Sequence, residues 1–426
     1  MKTETNDGSN RTEEQQANRQ FQRPGNGSRT GLSRRSMLKG SAIGISTGTL
    51  AGCMNVMGGG TDDFKLGMAL PLSQGWGPLG TGVQRAAELR VKEINENGGL
   101  SGQQIETAVE DTQVDPKTTA EVTEKLITRD NVDVLLGPIN SANRNAMGSL
   151  LKEHEVPLIY PIIYEGPAGN DYCNQWIYKL GEIPALQIEP LVPWLNEEHG
   201  NSYYLLGADY TWPRATNSVM KDVVSETGGE VVGEDYVPLD QTDFTSIIPK
   251  IESADPDILF MTLVAPGVGS IQKQMANRGV REQWQDIHLA AGQGVLSGIP
   301  ADAIEGLLSC HAYFENLDNT ANNRFVSNFY DEYGDDALIN YNSGLAYTGV
   351  EFLKQASDSA DSTAMEDILP TMTEVSVDSV MGQTVDIPRD NQMNVGCTVA
   401  EVRDDLKYHP IAQLDKFEFA DGCSDF

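Results

Sequence analysis

Residues 64–112, FKLGMALPLSQGWGPLGTGVQRAAELRVKEINENGGLSGQQIETAVEDT, carry the pattern that decides the fold. Residues 64–72 are an almost unbroken apolar run, as expected of a strand buried on both faces. Val83, Ala86, Ala87, Leu89, Val91 and Ile94 then recur at helical spacing through 82–97, and Gly98-Gly99 stops the helix. Residues 104–112 return as a strand. A strand, a helix and a second strand at this spacing form a parallel βαβ unit. Gly77-Pro78-Leu79-Gly80-Thr81-Gly82 reads as the turn that launches the helix, because Pro78 and the lack of a following Lys argue against a phosphate loop.

The pattern continues outward. Helices are expected at 116–129 and 142–155, with strands at 132–137 and 157–163. A second set follows, with strands at 202–208, 233–239, 258–265, 287–291 and 305–313 and helices at 213–227 and 268–278. Helices resume at 322–333, 342–359 and 364–374, and segments 397–402 and 417–420 read as closing strands. Two α/β lobes with helices left over predict lobes joined by more than one crossing. The cleft between two such sheets is a natural ligand site, since strand carboxyl ends from both lobes face it.

The N-terminal region differs in kind. Ser33-Arg34-Arg35-Ser36-Met37-Leu38-Lys39 reads as a twin-arginine export signal, and Leu50-Ala51-Gly52-Cys53 as a lipoprotein cleavage box with Cys53 the first mature residue. Residues 1–53 are thus the signal and 54–63 a linker. The apolar stretch at 41–52 falls short of the roughly 20 residues a spanning helix needs. The expected location is the extracytoplasmic face of the cell membrane, with membrane lipid as a partner through Cys53. A stable tether implies a two-chain lipid.

The chain holds 30 Lys+Arg against 62 Asp+Glu. Eight of the basic and four of the acidic residues fall in 1–53, which leaves 22 against 58, a net of −36, for the remainder. Such a surface repels nucleic acid, whose phosphates need a basic footprint. The carboxylates are spread rather than blocked, as on a protein from a high-salt medium where screening removes self-repulsion. Cys173, Cys310, Cys397 and Cys423 remain once Cys53 is lipidated. They fit two disulfides in any of three connectivities, or small buried apolar positions. No C-x-x-C pair or nearby His suggests a metal.

Enzyme motifs are missing: there is no Walker loop, no His-Glu-x-x-His and no Gly-x-Ser-x-Gly elbow. None of His154, His199, His288, His311 and His409 pairs with a nucleophile in the sequence. What remains is polar and aromatic residues at strand ends. In Gly137-Pro138-Ile139-Asn140-Ser141, Ser141 can present its hydroxyl and the free N–H groups of a helix to a ligand, or simply cap that helix. In Tyr160-Pro161-Ile162-Ile163-Tyr164-Glu165-Gly166, the two tyrosines suit a pocket wall or sheet-edge packing. In Gly207-Ala208-Asp209-Tyr210-Thr211-Trp212-Pro213-Arg214, Tyr210 and Trp212 can close on a small ligand from the second lobe.

These segments, together with Gly67-Met68-Ala69-Leu70-Pro71-Leu72-Ser73 and Glu93-Ile94-Asn95-Glu96-Asn97-Gly98-Gly99, resemble the type I solute-binding proteins of ABC importers, and within them the urea- and amide-binding branch. The resemblance runs from about residue 64 to about 402. It implies an α/β fold of two parallel-sheet lobes joined by three crossover strands, with residues 64–180 and 313–392 in lobe one and 181–312 and 393–426 in lobe two. It also implies a small polar solute between the lobes, a membrane permease as partner and no cofactor. Ser141 would hold the ligand's carbonyl or carboxylate oxygen. Tyr160 and the backbone around Ile162 would line the lobe-one wall, with Tyr164 among the site residues and Glu165 near the mouth. Tyr210 and Trp212 would face them, and the loop through Ala265 would finish the pocket. Ala168 and the stretch 180–187 depart from the branch pattern, and Ile162, where some amide binders have Thr, is closer to the urea-like pattern. A branched-chain amino-acid receptor, which would use Glu165 or Asp209 for the α-ammonium, and a sensor without a transport role are the alternatives.

Overall fold

The computed structural model describes residues 63–169, 172–264, 266–296, 298–418 and Cys423. The export signal, Cys53 and nearly all of the linker lie outside the described residues, as does Ala265. In chain order the elements are β1 (Phe64–Leu70), α1 (Gly77–Glu96), β2 (Ile105–Asp111), α2 (Pro116–Thr128), β3 (Val134–Leu136), α3 (Ser141–His154), β4 (Leu158–Tyr160) and β5 (Ile177–Lys179). Then come α4 (Pro184–Glu198), β6 (Ser202–Ala208), α5 (Thr211–Glu226), β7 (Glu230–Val237), α6 (Ile248–Ala254), β8 (Ile258–Thr262), α7 (Gly267–Arg278), β9 (Gln285–His288), α8 (Gln293–Leu296) and β10 (Leu308–His311). The chain ends with α9 (Thr320–Tyr333), α10 (Tyr341–Ala360), α11 (Met365–Met372), the hairpin β11 (Ser376–Asp378) and β12 (Thr384–Asp386), then β13 (Thr398–Val402) and β14 (Tyr408–Gln413).

Two sheets organise these elements. The first has the order β2-β1-β3-β4-β5 and is parallel throughout. The second has the order β14-β13-β10-β9-β8-β6-β7; it is parallel from β10 to β7, and β13 and β14 close it antiparallel. The apolar runs of the sequence become the central strands: Leu66, Met68, Ala69 and Leu70 are fully buried, as are Leu205, Leu206, Leu259 and Phe260. Each large aliphatic or aromatic side chain buried this way contributes about 1.5–3 kcal/mol. The chain leaves the first sheet after β5 and returns to its side after β10. It crosses for the third time between Gln392, which bridges to Lys179, and β13. This is the expected two-lobe α/β architecture with parallel sheets and three crossings.

Three local readings change, and the long helix α4 went unread. The helix α1 starts at Gly77, so the glycine-rich stretch is the first turns of the helix and not a turn before it. The reason is packing: a Cβ on Gly80 would lie 1.9 Å from the carbonyl oxygen of Pro71, so only glycine lets α1 lie this close to the end of β1. The helix α4 carries Pro190 and Pro193 in its interior, which masked it in the sequence. Of the segment expected to close the sheet at 417–420, residues 419 and 420 lie outside the described residues and Phe417 and Glu418 are irregular; the strand at this edge is β14, which tolerates Pro410 there. Of the four cysteines beyond Cys53, Cys173 and Cys423 form a disulfide with a Cα–Cα distance of 5.5 Å, while Cys310 and Cys397 are buried free thiols. No helix among the described residues is long and apolar enough to cross a membrane.

Candidate functional site

The carboxyl ends of β1, β3, β6, β8 and β9 face a common cleft. After β3 the chain turns at Gly137, whose φ is 114° and whose Cβ position would lie 2.3 Å from the carbonyl oxygen of Ala69. That close approach delivers Asn140 and Ser141 to the start of α3. Asn140, not Ser141, caps the helix: its Oδ1 accepts from the Asn143 amide at 2.8 Å. The Ser141 hydroxyl is therefore free of capping duty and turns elsewhere.

It donates to Glu165 Oε2 at 2.5 Å. One helical turn on from Ser141, Arg144 donates through Nη2 to Glu165 Oε1 at 2.7 Å, and its guanidinium lies over the rings of Tyr160 and Tyr164 at 5.2 and 5.1 Å. Arg144 and Glu165 are 1 % and 2 % exposed. Burial alone would lower the pKa of Arg144, but the neighbouring Tyr160 and Glu165 hold it above its ordinary value. Burial pushes the Tyr160 hydroxyl up, so it stays protonated.

The structure therefore divides the expected site residues into two groups. Ser141, Tyr210 and Trp212 line the cleft, and so does Val264, next to Ala265. Tyr160, Ile162, Tyr164 and Glu165 stand behind its wall. Glu165 is not at the mouth, because the buried guanidinium of Arg144 draws it inward. Tyr160 is fully buried. Ile162 is 3 % exposed and does not reach the cleft, whereas its neighbour Ile163 does. The Tyr164 hydroxyl donates to Gln392 Oε1 at 2.5 Å and so ties the wall to the third crossing.

On the opposite side, Tyr210 and Trp212 are tilted against each other with centroids 6.2 Å apart. The Tyr210 hydroxyl is held well above its ordinary pKa by burial and by Tyr341, Tyr160 and Glu165, so it is a donor at any working pH. The indole N–H of Trp212 is buried and has no partner among the described residues. Trp76, Ile139, Ala290, Asn340 and Tyr341 also line the cleft, and the sequence reading missed them. Trp76 follows the end of β1, so the strand-end rule that found Ser141 could have found it. Tyr341 opens α10, whose position beside the cleft is purely tertiary. The cleft encloses about 970 Å³ with its mouth included, and none of its described lining residues is charged.

Residues 63–407 match the periplasmic binding protein family. The chain belongs to that family. It is a family of solute binders rather than enzymes, in keeping with the missing catalytic motifs. This periplasmic binding protein is 24% identical over 340 residues to Leu/Ile/Val-binding protein homolog 2 of Brucella abortus (strain 2308), covering 76% of this chain and 86% of the relative. Among solved structures, it resembles the amino acid ABC transporter substrate-binding protein of Pseudomonas fluorescens Pf-5, with a TM-score of 0.76 at 18% identity over 85% of this chain and 99% of that one. An ABC transporter solute-binding protein of R. palustris in complex with benzoate gives a TM-score of 0.74 at 20% identity, over 85% and 100% of the two chains. These likenesses agree with the two-lobe type I fold.

Proposed function

We propose that this periplasmic binding protein is the extracytoplasmic receptor of an ABC importer, and that it shuts two lobes over a small solute and presents the closed form to a membrane permease. In this reading residues 64–180 with 313–392 form one lobe and 181–312 with 393–426 the other. Export follows the twin-arginine signal, and lipid on Cys53 holds the mature protein at the outer face of the membrane. The observation that carries the reading is an uncharged cleft with Ser141 on one wall and Tyr210 and Trp212 on the other. Contacts made only on closure supply the free energy that drives it. Tyr210 and Trp212, at the start of α5, are those contacts.

The resemblance to the urea- and amide-binding branch supports an amide-type solute. The breadth of the apolar lining favours an amide with an apolar body over urea, which would touch only a fraction of it. An amino-acid receptor is the second reading, favoured by relatives named for Leu, Ile and Val. It asks for a carboxylate to meet the α-ammonium, yet Glu165 is engaged by Arg144 and Ser141, and Asp209 by Arg214 at 2.7 Å. The test is calorimetric titration of Tyr210→Ala with the solute found in a thermal-shift screen. Affinity is expected to drop more than tenfold with the melting temperature unchanged. Undiminished affinity would remove Tyr210 from the site.

A further inference from the structure

We propose that the cleft selects an uncharged, flat solute whose polar end gives a hydrogen bond to Ser141 and takes one from the opposite wall, as an aromatic carboxamide does. The inference rests on the receptor reading above and reverses the expected role of Ser141.

A serine hydroxyl has one proton to give. Here that proton goes to Glu165 Oε2 at 2.5 Å. A carboxylate held by a guanidinium only accepts, and Arg144 occupies its other oxygen at 2.7 Å. Ser141 is only 5 % exposed yet lines the cleft, so what it offers a ligand is a lone pair. A ligand carbonyl or carboxylate oxygen placed there would meet oxygen lone pairs with the Glu165 carboxylate directly behind. A ligand N–H or O–H meets an acceptor polarised by that same carboxylate.

The facing wall carries a group that can only donate: Trp212, whose buried indole N–H has no partner among the described residues. Such a group is expensive to leave unpaired, so a ligand acceptor on that side is favoured. The ligand thus carries a donor toward Ser141 and an acceptor toward Trp212. Charge is selected against: no described lining residue is charged, so an α-ammonium or a carboxylate would be desolvated without a counter-ion. Shape follows from Trp76, Ile139, Ile163, Val264 and Tyr341, which present aromatic and branched surfaces; the Tyr341 ring is held flat by stacking on His311 at 4.1 Å.

Benzamide and benzoate are nearly the same size and differ in donor capacity and charge. We would titrate the purified full-length protein in molar salt with benzamide, benzoate, isoleucine and urea by calorimetry. Benzamide is expected to bind at least tenfold tighter than each of the other three. In Ser141→Ala, which leaves the Arg144–Glu165 pair intact, benzamide is expected to lose about tenfold while benzoate does not weaken. Benzoate, isoleucine or urea binding as tightly as benzamide overturns the inference and leaves the receptor reading standing. So does an unchanged benzamide affinity in Ser141→Ala, provided the variant keeps its melting temperature; if that variant does not fold, the benzamide-to-benzoate ratio of the native protein decides alone. If no solute in the panel binds, the inference falls. If, in addition, small-angle scattering shows one fixed shape whatever solute is offered, the receptor reading falls with it.

Discussion

The imidazole of His311 lies face to face on the ring of Tyr341, with centroids 4.1 Å and planes 2° apart. His311 ends β10 in the second sheet. Tyr341 begins α10, which packs on α1 and on β4 of the first sheet. One face of Tyr341 is therefore fixed by the second half of the fold while the residue lines the cleft. Tyr341→Ala is expected to weaken solute binding at least tenfold, because both the stack and the wall are lost. Tyr341→Phe keeps both and should stay within about threefold. Calorimetric titration of the two variants separates the ring from its hydroxyl.

Arg144 and Glu165 act as a unit. Removing one partner leaves a buried charge uncompensated, at a cost of about 3–5 kcal/mol. Arg144→Met is expected to lower unfolding stability by that amount in a denaturant titration. The double change Arg144→Met with Glu165→Gln should recover part of it, since no buried charge is left unpaired. Equal losses in the single and double variants would show that the pair's charges are not what matters.

His288 is buried at the end of β9, where its Nδ1 accepts from the Ala290 amide at 3.0 Å. Burial, reinforced by His311, pushes its pKa down to about 3. The unfolded chain takes up this proton near the ordinary histidine value and the folded chain does not. Stability contributed by the neutral ring is thus complete above that value and is lost as pH falls from about 6.5 toward 3, with a slope of about 1.4 kcal/mol per pH unit. Between pH 7 and pH 4.5 the native protein should lose on the order of 2–3 kcal/mol more than His288→Asn. Parallel stability curves for the two proteins would refute the assignment.

The acidic surface predicts salt dependence. With 62 Asp+Glu against 30 Lys+Arg, self-repulsion opposes the compact state unless ions screen it. The melting temperature is expected to rise as salt is raised from about 0.1 M, where the screening length is about 10 Å, toward 1 M and above. A melt that does not move with salt would end the high-salt proposal.

Much of the fold was legible because a doubly covered parallel sheet needs strands that are apolar on both faces. Residues 202–208 read as a strand and are one, with Tyr203, Leu205 and Leu206 fully buried. The helix α4 was illegible because Pro190 and Pro193 are local helix breakers that tertiary packing overrides, with Leu191, Val192 and Leu195 buried between them and beyond. Ser141, Tyr210 and Trp212 were legible as cleft residues by a rule of topology, since ligands sit beyond strand carboxyl ends. Glu165 obeys the same rule and still faces inward, because α3 brings Arg144 to it across 21 residues of chain.

Chain order and apolar periodicity alone thus determined two α/β halves, their strand sequence and the strand ends from which the cleft is built, because those follow from which segments must be covered on both faces. Which way the polar groups of the cleft point was decided only in three dimensions. A hydroxyl's single proton goes to its nearest buried acceptor, and that Ser141 would find Glu165 already held by Arg144 depends on contacts that no local pattern encodes.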